Sequence, residues 1–323
     1  MVSNNNILIT SSSAKIPLIL SAKHALKRID PSALVYAGDT DDSVLSKYIA
    51  DRFVVTPILE DGCILDFLNL CRQNHIGIVF PTRDGELKFW SKNKQVFARE
   101  GIHIVISDLE SVDRCLDKFE FFRFGNSKGF NFIQTSFKIS DLADAEFYVV
   151  KERYGAGSIF VGIRLNKKEA ISHALKLKNP VFQPFIQGIE ISVDAWLSKE
   201  NKVKGIVLRK RDKIEKGESK VTTTFSDSVI ENEITAILEE LKLQGPIVLQ
   251  AIIDNDNTLH IMECNARFGG ASTASIAVGN DALYWSLLEA KGENLSKYPF
   301  IRKNEQVRQI RIPCDKLIYD NYF

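Results

Sequence analysis

The sequence predicts an α/β chain, α+β when taken as a whole, in which an open parallel sheet is followed by units built on antiparallel strands. Three observations predict it. Residues 7–110 alternate short apolar runs with helical patterns, the β-α-β rhythm of a parallel sheet. Residues 146–165 join two strand-like runs through a glycine-bearing loop. The stretch Gly245–Gly270 sets two apolar runs, Ile247–Ile253 and Leu259–Cys264, on either side of Asn255-Asp256-Asn257-Thr258, as a β-hairpin with an Asn/Asp-rich turn does. With 323 residues the chain can bury a sizeable core divided over two or three units.

In the first unit, strands are expected at Ile7–Ile9, Ala33–Tyr36, Phe53–Val55, Ile76–Phe80 and Ile102–Ile106. Helices are expected at Leu18–Arg28, Ser43–Asp51, Ile64–Asn74 and Glu86–Glu100. The first strand runs into Thr10-Ser11-Ser12-Ser13 and not into G-x-G-x-x-G, so the backbone is not shaped for a dinucleotide pyrophosphate. Arg83, Asp84 and Glu86 follow the carboxyl end of the fourth strand, where open sheets place ligands, and they either border a substrate or form a solvated loop. From Val112 to Lys128 the pattern is one polar-faced helix, followed by a short strand at Phe132–Gln134.

Glu146–Lys151 then enters the loop Glu152–Ser158, whose Gly155 and Gly157 suit a flap able to close over phosphates, and leaves it through Ile159–Leu165. A helix is expected at Asn166–Lys178. Val181–Ile186 is a strand that Pro184 confines to an edge, leaving backbone groups free to read a purine. Glu190 and Asp194 alternate with apolar residues along the next strand, so both need polar partners. Gly205–Arg209 is a strand leading into a cationic run in which Arg209 and Arg211 share a face, either solvated or anion-binding. Glu231–Leu243 is an amphipathic helix ended by Gly245-Pro246.

Composition excludes several classes. Lys and Arg number 42 against 41 Asp and Glu, so no broad basic field is available for nucleic acid, and a small partner is expected. The apolar runs fall short of the roughly 18 residues of a membrane helix, and the start MVSNNN lacks the charged and apolar regions of a secretory signal, so a cytoplasmic protein is expected. Cys63, Cys71, Cys115, Cys264 and Cys314 have no metal-ligand spacing and read as reduced, packed thiols.

On the hairpin, a turn centred between Asp256 and Asn257 sets Gln250 across from Glu263. Strict alternation puts Leu259, Ile261, Glu263 and Asn265 on one face and His260, Met262 and Cys264 on the other, as core packing. Gln250, Glu263 and Asn265 then form an oxygen-rich patch suited to Mg²⁺. Arg267 adds a planar fork for phosphate or carboxylate, and Gly269-Gly270 offers unhindered backbone N–H groups to an anion.

The pattern Gln250…Glu263-x-Asn265-x-Arg267, together with Gly188-x-Glu190-x-x-x-Asp194, resembles the ATP-grasp enzymes. The likeness is to single-module relatives of the carbamoyl phosphate synthetase large subunit and to ATP-dependent carboxylate-amine ligases. It covers essentially the whole chain. It implies a Rossmann-like pre-grasp domain over residues 1–111, a small lid over 112–186 and an antiparallel-sheet domain over 187–323. It further implies that Lys118 and Lys151 contact ATP phosphates, Gln183 meets the adenine, the Phe185-Ile186 backbone meets the purine edge, and Glu190 holds the ribose. Gln250, Glu263 and Asn265 would bind one or two Mg²⁺ ions, for which Mn²⁺ can substitute, and Arg267 would steady the transferred phosphoryl group. Many relatives carry a carboxylate where this chain has Gln250, which leaves Glu263 as the single anionic ligand.

The activity so implied is activation of a small carboxylate as an acylphosphate for attack by an amine, with release of ADP and phosphate. Arg209, Arg211 and Arg267 would gather around the acidic substrate. Two alternatives stay open: a bicarbonate-activating carboxylase or carbamoyl-phosphate-type reaction, and an ATP-binding module with a decayed site. A homodimer is also open, since Arg302–Arg311 reads either as a terminal strand or as an interface.

Overall fold

The computed structural model describes residues 5–60, 62–155, 157, 160–313 and 315–317. Its first unit comprises β1 (Asn6–Ile9), α1 (Ile16–Lys27), β2 (Val35–Asp39), β3 (Arg52–Val55), α2 (Ile64–Gln73), β4 (Ile76–Phe80), α3 (Asp84–Arg99) and β5 (His103–Ile104). Strand order is β3-β2-β1-β4-β5, with every pair parallel. The central strands β1 and β4 are apolar along almost their whole length because helices cover both faces. Pro17 sits in the first turn of α1, where a missing N–H breaks no helical bond.

Two expectations fail here for local reasons. The helix expected over Ser43–Asp51 is one 3₁₀ turn, Leu45–Tyr48. Asp41 bonds the Ser43 N–H (2.8 Å) and hydroxyl (2.7 Å), a side-chain turn that competes with helix formation. The strand expected over Ile102–Ile106 shortens to His103–Ile104.

The single helix expected over Val112–Lys128 is two, α4 (Leu109–Leu116) and α5 (Lys118–Ser127). Asp117 breaks it, taking extended backbone and capping α5 through hydrogen bonds from the Phe119 (3.1 Å) and Glu120 (3.2 Å) N–H groups. The expected strand at Phe132–Gln134 reduces to an isolated bridge from Phe132 to Ile261. Next come β6 (Tyr148–Glu152), β7 (Gly162–Leu165), α6 (Lys167–Ala174) and β8 (Pro180–Pro184). They form an antiparallel sheet of order β7-β6-β8, with Pro184 at the end of an edge strand, as proline requires. The returning strand begins at Gly162; Ile159 lies outside the described residues.

The last unit holds β9 (Gly188–Leu197), β10 (Val203–Glu215), β11 (Glu218–Phe225), α7 (Ser228–Glu240), β12 (Gly245–Asp254), β13 (Leu259–Asn265), α8 (Thr273–Ala277), α9 (Ala282–Ala290) and β14 (Arg308–Ile310). Its six strands run β13-β12-β9-β10-β11-β14. The cationic run does not end β10, which continues to Glu215 and turns back through Lys216 (φ 49°) and Gly217 (φ 76°). Two consecutive residues at positive φ are what a tight hairpin needs. Arg308–Ile310 pairs with β11, so that segment is the terminal strand.

Cores show what is fixed to what. Val193, Leu208, Leu249 and Cys264 from one face of the large sheet share a cluster with α7 and with Trp90 and Phe97 of α3. Trp196 and Trp285 share another with Ile7, Ile9 and α1. The three-stranded sheet has its own small core of Leu142, Tyr148, Val150, Ala170, Ala174 and Phe182. Burial therefore welds the first and last sheets together and attaches the small sheet more weakly.

Candidate active site

The face of the large sheet turned away from the shared core carries rows of polar side chains, because residues paired across antiparallel strands lie on the same side. One row is Glu263, Gln250, Ser192, Arg209 and Thr224 across β13, β12, β9, β10 and β11. A neighbouring row is Asn265, Val248 and Asp194. Glu263, Gln250, Ser192, Arg209, Asn265 and Val248 of these rows floor a cleft of about 1050 Å³ between the large and the three-stranded sheets, at the upper end of the range of small-molecule pockets.

Gln250 and Glu263 are direct partners, but strict alternation does not hold along β13. Pairing slips by one between Gln250 and Ala251, so Met262 is an extra residue and the strand changes face there. Leu259 and Ile261 consequently join the buried core with Cys264. Met262 lines the cleft with Glu263 and Asn265, and His260 pairs with Asp254 at 2.7 Å. The expectation that Leu259 and Ile261 share a face with Glu263, and Met262 with Cys264, is corrected by this bulge. Bulges are frequent where a strand must re-aim a side chain at a site.

The side chains of Glu263 and Asn265 make no hydrogen bond to any described residue, while Gln250 Oε1 accepts one from Arg211 (3.1 Å). An open carboxylate and an open amide on one face, with a second amide beside them, fit a hard cation.

Lys151 faces this patch from β6. It is only 6 % exposed, and its ammonium has no hydrogen-bond partner among the described residues. Burial pulls its pKa down to about 8, Glu263 and Glu190 oppose that shift, and Lys118 adds to it. Lys118, at the start of α5, is lowered as well, again mainly by burial. Its ammonium donates to the Gly155 carbonyl at 2.9 Å, which ties the flap to α5. The same junction is pinned by Asp117, which receives Arg153 as a two-pronged fork (2.8 and 2.6 Å) and the Tyr154 hydroxyl (3.0 Å). Burial works to raise the Asp117 pKa, and these donors with the Glu120 N–H outweigh it, so the carboxyl sits below its usual value. Gly155 and Gly157, both at positive φ, line the cleft; Ala156 and Ser158 lie outside the described residues.

At the other end of the flap strand, Gln183 donates to Thr135 (2.8 Å) and lines the cleft. The Phe185 N–H is taken by the Phe147 carbonyl (2.9 Å), whereas the Ile186 N–H has no partner among the described residues. Glu190 is bound by Arg211, which also reaches Ser219 (3.0 Å) and the Gly217 carbonyl (2.6 Å).

The three arginines expected around a substrate have different surroundings. Arg209 is 2 % exposed and paired with Asp194, which also accepts from Ser272 (2.6 Å). Its guanidinium is thus committed to the sheet. Arg211 braces Glu190 and Gln250. Arg267 forks onto Asp84 of the first unit (2.9 and 2.5 Å) and donates to the Phe268 carbonyl (3.0 Å). Neither Arg83 nor Asp84 is among the residues lining the cleft, which Asp84 reaches only through Arg267, and Glu86 turns inward and caps α3 by accepting from the Thr82 (2.7 Å) and Arg83 (3.0 Å) N–H groups. Of the two glycines, Gly269 gives its N–H to Ser272 Oγ (2.9 Å), and the Gly270 N–H has no partner among the described residues.

Lys15, Glu218 and Arg311 also line the cleft, and none was singled out from the sequence. Lys15 had a usable signal, a lone cation closing the loop at the carboxyl end of the first strand of an open sheet. Glu218 and Arg311 had none, because β11 and the register of β14 were not legible. Cys264 is buried behind the sheet with its pKa pushed up by burial, so it is no nucleophile. Cys63, Cys71 and Cys115 are likewise buried free thiols, and Cys314 lies outside the described residues.

A parallel sheet welded to a six-stranded antiparallel sheet, with a small sheet over a cationic cleft and an oxygen-rich row, defines a mixed α/β fold that clasps a cleft between its sheets. Residues 176–312 match the family described as "ATP-grasp in the biosynthetic pathway with Ter operon", and residues 7–105 match the one described as "PylC-like, N-terminal domain". The ATP-grasp match spans the end of the small sheet and the large antiparallel unit. Its fold is similar to the biotin carboxylase domain of Hydrogenobacter thermophilus 2-oxoglutarate carboxylase, at 15% identity and a TM-score of 0.74, covering 94% of this chain and 73% of that one. It is similar to the L-amino acid ligase from Bacillus licheniformis at 20% identity and a TM-score of 0.73, covering 98% and 82%. It is similar to N5-carboxyaminoimidazole synthetase from Staphylococcus aureus at 14% identity and a TM-score of 0.68, covering 90% and 77%. At these identities the likeness is one of fold. No curated protein matches the chain in sequence. Among the described residues no helix is long and apolar enough to cross a membrane.

Proposed function

We propose that the chain is an ATP- and Mg²⁺-dependent ligase that activates a small carboxylate as an acylphosphate and passes the acyl group to an amine, releasing ADP and phosphate. One observation carries this reading. Glu263, opposite Gln250 and two residues from Asn265, presents a carboxylate, and Lys151 a buried ammonium acting on it, neither with a hydrogen-bond partner among the described residues. An acidic metal patch and a desolvated cation on facing walls are what in-line phosphoryl transfer requires.

In this reading residues 112–186 act as the lid. Lys118 and Lys151 take the phosphate oxygens, Glu190 the ribose, and Gln183 with the Ile186 N–H the adenine. Gln250, Glu263 and Asn265 would hold a Mg²⁺ ion, or Mn²⁺ in its place, which would supply Lewis-acid charge at the phosphoryl oxygens. Arg267, fixed by Asp84, keeps two of its five N–H donors for the substrate carboxylate or transferred phosphoryl group. The substrate oxygen attacks the γ-phosphorus, its bond to the β-bridging oxygen breaks, and ADP leaves with the electron pair. The amine then attacks the acyl carbon and expels phosphate. Closure of the flap keeps water from the acylphosphate. No protein nucleophile is needed, in keeping with the burial of Cys264.

The test is ADP release measured over a panel of carboxylic acids, each with several amines and with bicarbonate as a separate arm. A productive acid and amine pair is the expected result. Fast ADP release with bicarbonate alone would favour carboxylase chemistry, and ATP binding without turnover under any condition would favour a decayed module.

A further inference from the structure

Beyond the nucleotide end, the cleft runs on to a second group of charges that the ligase chemistry leaves without a role. Lys15 comes from the loop between β1 and α1, Glu218 from the start of β11, and Arg311 from just past β14. Glu218 accepts from Arg311 (3.0 Å) and from Lys220 (3.1 Å). Arg311 lies against Gly270, where a Cβ would stand 2.9 Å from its Nη1. Lys15 is half-buried and has no hydrogen bond or ion pair to any described residue. With Arg267 forked onto Asp84 nearby, Lys15, Arg267 and Arg311 line this end of the cleft against Glu218, while Asp84 and Glu86 act on Lys15 from outside the lining, so the lining itself sets three cations against one carboxylate. A desolvated cation without a partner is costly, so a site that keeps one is organised for an anion that arrives from outside.

We propose that Lys15 and Arg311, with the Gly270 N–H, which has no partner among the described residues, form a subsite for a second anionic group of the substrate, a carboxylate or a phosphate distinct from the carboxylate that is activated. The substrate is thus at least dianionic, reaching from the phosphoryl-transfer point to the loop after β1. Arg311, planar and held by Glu218, meets the anion as a fork, and Lys15 meets it as a point charge. The proposal rests on the ligase reading for the identity of the first carboxylate but not for the existence of the subsite.

The test uses the full chain loaded with Mg²⁺ and a non-hydrolysable ATP analogue. Calorimetric titration compares pairs that differ only in the second group: L-glutamate with L-glutamine, succinate with succinamate, and O-phosphoserine with serine. In parallel, ADP release is followed with ATP and an amine panel. At least one charged member should bind tenfold or more tightly than its neutral partner. Glutamate or succinate would identify a carboxylate, and phosphoserine a phosphate. Lys15→Met and Arg311→Gln should each remove the difference, and Lys15→Arg should restore it, with analogue binding as the control for folding. Charged and neutral members binding alike, no charged member binding at all, or a difference that survives both substitutions would overturn the subsite. Lys15-dependent binding of the charged member without ADP release under any condition would uphold the subsite and overturn the ligase reading.

Discussion

Glu263 is the residue on which the chemistry turns. Glu263→Gln keeps the shape of the β12–β13 pair and removes the one anionic metal donor, so turnover should fall by roughly two to four orders of magnitude, about 3–5 kcal/mol of barrier. Near-normal turnover at saturating Mg²⁺ would contradict the metal patch. Arg209 should behave differently, because its partner Asp194 is buried with it. Arg209→Met strands that carboxylate and should cost about 3–5 kcal/mol of stability. A variant with unchanged thermal stability but a raised substrate KM would return Arg209 to a substrate role.

Lys151 allows a prediction with a definite sign. Its folded pKa of about 8 lies below the usual 10.5, so between those values the folded chain holds fewer protons than the unfolded one. Stability is therefore helped as pH rises through that window, and below about pH 8 the full cost of burying the charge is present. Lys15, shifted to about 8 by burial and Arg267 against Asp84, Glu86 and Glu218, contributes in the same sense. Nucleotide phosphates arriving beside Lys151, Lys118, Glu263 and Glu190 favour the charged amine, so ATP binding near pH 8.5 should take up protons. Calorimetry in buffers of different ionisation enthalpy reads this directly. Lys151→Met should lose most of the uptake, and binding heats independent of buffer in the native chain would contradict the assignment.

At the scale of elements, the flap depends on α5. The Asp117 carboxylate caps that helix and also holds Arg153 and Tyr154 at the flap stem, so both features should loosen together. Asp117→Ala should cost about 1 kcal/mol through the lost cap and should speed trypsin cleavage after Arg153 several-fold. ATP with Mg²⁺ should slow cleavage in the native chain. Equal cleavage rates in both proteins, with and without nucleotide, would argue against a hinged flap. Elements also mark where sequence reasoning stops. Apolar runs located β1, β4, β9 and the β12–β13 hairpin because burial dictates them. The bulge at Met262 could not be read, since an inserted residue leaves alternation intact on either side of it. The break at Asp117 was hidden because an N-cap residue inside a polar stretch resembles an ordinary helical surface position.

At the scale of the molecule, the Gln250–Glu263 pair was reached by two errors that cancel: the turn is centred on Asp256, so that Ile253 faces Leu259 one residue off the expected register, and the extra residue Met262 brings Gln250 back opposite Glu263. What was not legible depends on distant segments meeting: Asp84 with Arg267, Lys15 with Arg311, Asp194 with Ser272. No local pattern encodes such meetings. The shared cores of the first and last sheets make the cleft floor one rigid body, while the small sheet rests on its own six-residue core. Motion should therefore be confined to the lid. Hydrogen exchange should show amides of β6 and β7 slowing on nucleotide binding while those of β9 and β12 stay unchanged. Uniform slowing across all three sheets would contradict a separately hinged lid.

The central claim is that phosphate passes to a carboxylate oxygen. It is tested most directly with the productive acid labelled with ¹⁸O in its carboxylate and incubated with ATP, Mg²⁺ and the amine, the phosphorus products being read by ³¹P NMR. Attack on the γ-phosphorus followed by acyl transfer leaves one carboxylate oxygen in the released phosphate, so ¹⁸O-shifted phosphate should appear in step with ADP. Unlabelled phosphate, or AMP and pyrophosphate in place of ADP, would contradict it.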